Sequence, residues 1–210
     1  VSIQPETYFG NVNCFGPRSC YDEGKRVAEA LAFAYQAQHK LSVRVARIFN
    51  AYGPYMDVND GRAVPNFISA AMEGSAIKIY GDGSATRCFQ FASDCIDGLV
   101  RLMESDYTCP VNIGSDLEIE VGEIARMVAQ VVAGKMGRED VVGIECLPKR
   151  QDDPVRRRPD ITVAKEELGW KPEVKLEEGL AMTVDWFLER QRPGEAVYGD
   201  NTAVESRPSL

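Results

Sequence analysis

The stretch Tyr21-Asp22-Glu23-Gly24-Lys25-Arg26-Val27-Ala28-Glu29, with Arg44-Val45-Ala46-Arg47-Ile48-Phe49-Asn50 after it, decides the fold. From Tyr21 to Gln38 the apolar residues Val27, Ala28, Leu31, Ala34 and Tyr35 recur at helical spacing, and Gly24 is the one weak helix former. Ser42 to Asn50 is a short β-rich run that suits a buried strand, closed by the turn signal Tyr52-Gly53-Pro54. Helix then strand is the rhythm of an α/β protein, so the remaining chain is read for its continuation.

The alternation persists. A polar loop over 55–63, tightest at Asn59-Asp60-Gly61, precedes a helix from Val64 to Glu73 closed by Gly74. Ile77 to Tyr80 alternates, Gly81-Asp82-Gly83-Ser84 turns, and Arg87 to Phe91 is extended, so the two runs form either a hairpin or consecutive strand pieces. Ser93 or Asp94 then caps a helix through Glu104, with Ile96, Leu99, Val100 and Met103 as its apolar stripe. Strands follow at Val111–Gly114 and Val141–Leu147, and helices at Val121–Lys135, Val163–Leu168 and Leu176–Gln191. Trp170 and Trp186 read as core anchors, and Gly194 to Leu210 as a disordered tail. The expectation is an α/β fold with a mostly parallel sheet surrounded by helices. Gly81-Asp82-Gly83 lacks the third glycine and the long helix of a dinucleotide fingerprint, and reads as a turn.

The 210 residues, 44% of them hydrophobic, suffice for one core, and the net charge of −8 argues against nucleic acid or anionic membranes as generic partners. An anionic ligand would need a local basic pocket. No run approaches the length of a membrane span, and the start at Val1 is neither a signal peptide nor an initiator methionine, so the chain reads as one cut from a longer protein. Six cysteines without a CxxC pair or histidine cluster read as reduced residues, not a zinc site.

Tyr21 and Lys25 stand four apart, so their side chains share one helix face. An ammonium beside a phenol favours the phenolate, as a base working at neutral pH requires. Spacing alone is weak evidence, because such pairs also occur on solvated helix faces. The run Arg156-Arg157-Arg158 has a similar double reading, as a solvated cluster pairing with Asp152, Asp153 or Asp160, or as an anion site.

The context gives these residues weight. Gly16-Pro17-Arg18-Ser19-Cys20 followed by the Tyr21–Glu29 stretch closely resembles the active-site helix of the UDP-glucuronate decarboxylases, members of the extended short-chain dehydrogenase/reductase family. Further segments resemble that family in order: Arg44–Asn50, Tyr52-Gly53-Pro54, Asn59-Asp60-Gly61-Arg62, Tyr80-Gly81-Asp82-Gly83, Thr86-Arg87-Cys88-Phe89-Gln90, Gln151-Asp152-Asp153-Pro154 with Arg156–Asp160, and Leu168-Gly169-Trp170-Lys171-Pro172.

The resemblance implies the C-terminal part of an NAD(P)-binding Rossmann-type parallel sheet plus a smaller substrate-binding α/β lobe. Residues 1–192 would be a partial domain without its N-terminal dinucleotide-binding half, and 193–210 a tail. It implies an NAD-dependent lyase that oxidises C4 of UDP-glucuronate, loses carbon dioxide and returns the hydride to give UDP-xylose. Tyr21 would be the base, and Lys25 would also bind the nicotinamide ribose, so both would be catalytic and cofactor-binding. Arg62, Arg87 and Arg157 would hold the UDP diphosphate region, Asn50 would touch the UDP-sugar, and Tyr80 would lie where the family packs around uridine, unless it is only a core aromatic. The family's catalytic serine or threonine is expected before Val1, so the chain is expected to be inactive alone, with exposed edges that make it prone to associate. The full-length protein would be a homodimer, cytosolic or anchored in the Golgi. A related epimerase or 4,6-dehydratase would share these residues, and a non-catalytic binding or dimerising remnant is the alternative of another class.

Overall fold

The computed structural model describes residues 2–58, 61–149 and 156–190. The Asn59-Asp60 turn, the Gln151–Pro154 segment and the tail therefore lie outside the described residues.

In chain order the elements are α1 (Ser19–His39), β1 (Ala46–Ile48), β2 (Ala51–Tyr52), α2 (Ala63–Glu73), β3 (Ile77–Tyr80), β4 (Thr86–Cys88), β5 (Gln90–Phe91) and α3 (Ala92–Glu104). Then come β6 (Val111–Ile113), β7 (Glu118–Glu120), α4 (Val121–Met136), β8 (Ile144–Leu147), β9 (Arg156–Arg157), α5 (Thr162–Leu168) and α6 (Leu176–Arg190). The strands pair as β1–β6, β2–β5, β3–β8 and β7-β4-β9. Each of these pairings is parallel except β4–β7. Runs Ile77–Tyr80 and Arg87–Phe91 are not a hairpin, because β3 joins β8 whereas β4 lies between β7 and β9. β7 and β9 carry no alternation long enough to announce them in sequence.

Two apolar clusters hold these pieces together. In the first, Ile68 of α2, Ile77 of β3, Ile124 and Val128 of α4 and Leu180 of α6 are fully buried. In the second, Leu102 of α3, Val111 and Ile113 of β6 and Ala164 of α5 surround Trp170. The Trp170 indole N–H donates to the Asp94 carbonyl at 3.0 Å, which satisfies its polar edge inside the core. Trp186 is only partly buried, beside Tyr55 and under the Arg190 guanidinium.

α3 departs from the sequence expectation twice. Neither Ser93 nor Asp94 caps it: Phe91 occupies the N-cap without a side-chain bond, and the buried Asp94 carboxylate accepts the Val174 N–H at 3.0 Å instead. Its inward face is Asp94, Cys95, Gly98 and Leu102, while Ile96, Val100 and Met103 face outward. The cause is Trp170. A Cβ on Gly98 would come within 2.9 Å of the indole and 3.0 Å of Ile113, so close packing there selects the small residues rather than the large ones.

α1 forms where expected, yet none of its residues is buried, and Val27, Leu31 and Tyr35 along one stripe are each more than half exposed. Polar groups hold it. Arg47 of β1 grips both carboxylate oxygens of Glu29, Nε to Oε2 at 3.0 Å and Nη2 to Oε1 at 2.5 Å, and donates from Nη1 to the Glu6 carbonyl. Arg26 donates to the Phe9 carbonyl at 2.9 Å. The leading segment is tied down through Asn112 of β6, whose backbone N–H donates to the Glu6 carboxylate and whose amide donates to the carbonyls of Gln4 and Asp160.

Candidate functional site

The first turns of α1 bring Tyr21 and Lys25 together as the spacing requires: Lys25 Nζ lies 5.6 Å from the centre of the Tyr21 ring. A second cation joins them, because the Arg18 guanidinium carbon stands 5.8 Å from the same ring. Tyr21 is 57% exposed, so its phenol is open to a ligand between two positive charges.

A second group gathers where β1 ends. The Asn50 amide donates to the Cys88 carbonyl at 3.4 Å, and the Gln90 N–H donates to the Asn50 carbonyl at 2.9 Å, which fastens Asn50 to the crossing from β4 to β5. Beneath it the buried Gln90 amide donates to the Ile113 carbonyl at 2.8 Å. Arg87 on β4 is the register partner of Arg157 on β9, so both side chains stand on one face of that sheet. The Arg157 guanidinium lies 5.7 Å from the centre of the Phe49 ring, next to Asn50 in the chain. The remaining two candidates occupy other elements. Arg62 is exposed at the N-cap of α2, and Tyr80 lies on the outward side of β3, 44% exposed, so it is not a core aromatic.

The opposite face of the β4 sheet carries a pair that the sequence did not disclose. Glu118 of β7 accepts from Thr86 Oγ1 at 2.5 Å, from Arg156 Nε at 2.5 Å and from Arg156 Nη2 at 2.6 Å. These hydrogen bonds, Arg156 first and Thr86 second, pull the Glu118 carboxyl down to about 2. The ion-paired reading of the arginine run thus fits Arg156, with Glu118 as its partner. Asp160 is engaged elsewhere: its carboxylate accepts the Thr162 hydroxyl at 2.6 Å and the Thr162 N–H at 2.9 Å, which lowers it below the usual carboxylate range. The Arg47–Glu29 fork was likewise unforeseen. Its signal is present, since Glu29 falls on the helix face of Tyr21 and Lys25, but its partner lies on another element.

All six cysteines are free, and Cys88 and Cys95 are buried. Burial pushes the Cys88 thiol up to about 11, far from a thiolate nucleophile at neutral pH. Among the described residues no cluster of three or more His, Cys, Asp or Glu side chains is placed to hold a metal ion, and no helix is long and apolar enough to cross a membrane.

Known proteins resemble this chain in sequence and in fold. Residues 3–183 match the family model described as GDP-mannose 4,6 dehydratase. UDP-glucuronic acid decarboxylase 1 of Danio rerio is 52% identical over 187 residues, which are 89% of this chain and 43% of that protein. UDP-glucuronic acid decarboxylase 5 of Arabidopsis thaliana is 50% identical, again over 89% of this chain and over 53% of its own length. The chain spans about half the length of these curated relatives. Among solved structures, UDP-glucose 4-epimerase of Thermotoga maritima with UDP-glucose superposes with a TM-score of 0.81 at 27% identity, over 91% of this chain and 59% of that one. The dTDP-glucose 4,6-dehydratase of Streptomyces venezuelae with NAD bound gives 0.75 at 26% identity, over 90% and 55%. The parallel α/β architecture is therefore that of the Rossmann-type epimerases and dehydratases, and the chain belongs to the GDP-mannose 4,6-dehydratase family of short-chain dehydrogenase type, with the UDP-glucuronic acid decarboxylases among its relatives.

Proposed function

We propose that this chain carries the substrate-side lobe and the Tyr–Lys pair of a UDP-glucuronate decarboxylase, which converts UDP-glucuronate to UDP-xylose and carbon dioxide. The observation that carries the reading is the placement of Arg87 beside Arg157 on one face, with Asn50 fastened to the same strand through Cys88. Two arginines on one face in a chain of net charge −8 make a local cationic site for a diphosphate. The relatives at about half identity direct the choice of sugar to glucuronate.

In this reading Tyr21 accepts the proton of the sugar C4 hydroxyl, with the Lys25 ammonium 5.6 Å from the centre of its ring. A ketone at C4 lies β to the C5 carboxylate, so carbon dioxide leaves with its electrons delocalised into the ketone, C5 of the resulting enolate takes up a proton from solvent, and Tyr21 returns its own proton to the C4 oxygen at the end. NAD, when bound, supplies the hydride acceptor and donor. The residues present fit one end of it: Tyr21 and Lys25 would hold the nicotinamide ribose. The Gly81–Gly83 turn does not fit its diphosphate, because Gly83 packs against Gly122 and the chain continues into β4 instead of a helix. A homodimer of the full-length protein would use the exposed stripe of α1.

Calorimetric titration of the chain with UDP-glucuronate, with and without NAD, tests the proposal. Binding that is lost in Arg87→Ala and indifferent to NAD supports a preformed substrate lobe, whereas no binding at millimolar ligand counts against it. The likeness to 4-epimerases keeps a second reading alive, and product analysis with the full-length protein separates the two. Carbon dioxide and UDP-xylose mark the decarboxylase, and a C4 epimer marks the epimerase.

A further inference from the structure

Three consecutive arginines, Arg156, Arg157 and Arg158, pose a problem of register, because successive residues of a strand point to opposite faces and a slip of one residue exchanges them. β9 is only two residues long and pairs with β4 at Thr86↔Arg156 and Arg87↔Arg157. Two ladder positions hold a strand weakly, and the further backbone anchors, the Gln4 N–H to the Arg158 carbonyl and the Asp160 N–H to the Gln4 carbonyl, begin only beyond β9. On the far side of β4, Glu118 of β7 stands opposite Cys88, and thus on the face of Thr86 and Arg156, away from Arg87 and Arg157. Its carboxylate reaches across the central strand, one oxygen shared by Thr86 and Arg156 Nε and the other accepting from Arg156 Nη2.

We propose that Glu118, with Thr86, is a positioning residue that locks β9 on β4 by gripping Arg156 on one face, so that Arg157 stands beside Arg87 on the other. That the anion held by Arg87 and Arg157 is a nucleotide diphosphate rests on the functional reading above; the lock itself does not. Glu118 touches no ligand in this scheme. Arg156 is 53% exposed, so the ion pair adds little to global stability, and its effect falls on which arginine faces the site.

The sign of one substitution separates this from general electrostatics. Glu118→Gln removes a negative charge near the arginines, which by charge alone would tighten binding of an anion. The lock requires the opposite. Titrated with UDP, the Glu118→Gln chain should bind about tenfold more weakly than the wild type, the scale of losing one charge-assisted phosphate contact, with little change in melting temperature. Arg156→Ala should reproduce that loss. In an Arg157→Ala background Glu118→Gln should add nothing, because both act through one guanidinium. Equal or tighter UDP binding by Glu118→Gln, or losses that multiply with Arg157→Ala, would overturn the proposal. If the wild-type chain does not bind UDP, the functional reading fails, and hydrogen exchange decides the lock separately. Faster exchange of the β9 amides in Glu118→Gln supports it, and unchanged exchange overturns it.

Discussion

Arg87 and Arg157 occupy register-paired positions of neighbouring strands, where their side chains share one face. The planar fork of arginine matters there more than its charge, so Arg157→Lys should raise the dissociation constant for UDP-glucuronate roughly tenfold by calorimetry while leaving the melting temperature unchanged. Tyr21→Phe should leave that binding intact, since the lost hydroxyl serves proton transfer. Glu118 has its own signature in acid. Its carboxyl titrates at about 2 in the folded chain against an ordinary value of 4.5, so the unfolded chain binds more protons between those values. Its contribution, small globally because Arg156 is half exposed, is complete above 4.5 and lost as pH falls through about 2, so the difference in β9 amide exchange between wild type and Glu118→Gln should shrink over that window. Tyr21 and Lys25 were legible as a pair from their spacing, and it was the family resemblance of the surrounding segments that singled them out and named Arg87 and Arg157. Glu118 was not legible, because its partners Thr86 and Arg156 lie 32 and 38 residues away.

Among the elements, the helices with long apolar periodicity formed within two residues of their expected ends, as in Ala63–Glu73 against Val64–Glu73. β7 and β9, with three and two residues, are too short to show a period, and only their neighbours make them strands. α3 shows how tertiary packing overrides a local pattern. Of its expected stripe Leu99 packs partly inward, but Ile96, Val100 and Met103 stay outside, and Gly98 is the small residue that leaves room for the Trp170 indole beside the buried Leu102. Gly98→Ala would improve helix propensity by up to about 1 kcal/mol, yet its Cβ would press on Trp170 and Ile113 in a core that cannot relax cheaply. Overpacking of about 1–3 kcal/mol wins, so chemical denaturation should show a net loss of about 1 kcal/mol. An unchanged or higher midpoint would mean that the indole moves aside.

At the scale of the molecule, α/β class and parallel pairing were readable from alternation, whereas the division of the described residues into four small sheets was not, because each joins segments far apart in sequence. The stripe Val27, Leu31 and Tyr35 on α1 and the half-exposed Ile48 of β1 leave apolar side chains uncovered on both elements. Sedimentation should therefore show association that grows with protein concentration, and Leu31→Glu should suppress it. A species of constant mass in both proteins would refute the assignment.

The attachment of α1 has a consequence for how the chain is dismantled. With no buried side chain, this helix opens without disturbing either core cluster, and the Arg47–Glu29 fork, partly exposed at both ends, sets the cost of opening. Trypsin should thus cut first after Lys25 and Arg26, long before Arg126 of α4, whose helix is buried along Ile124, Val128 and Val132. Added salt should hasten that first cut by screening the fork. The end carrying the Tyr–Lys pair would then be clipped from a body that stays folded.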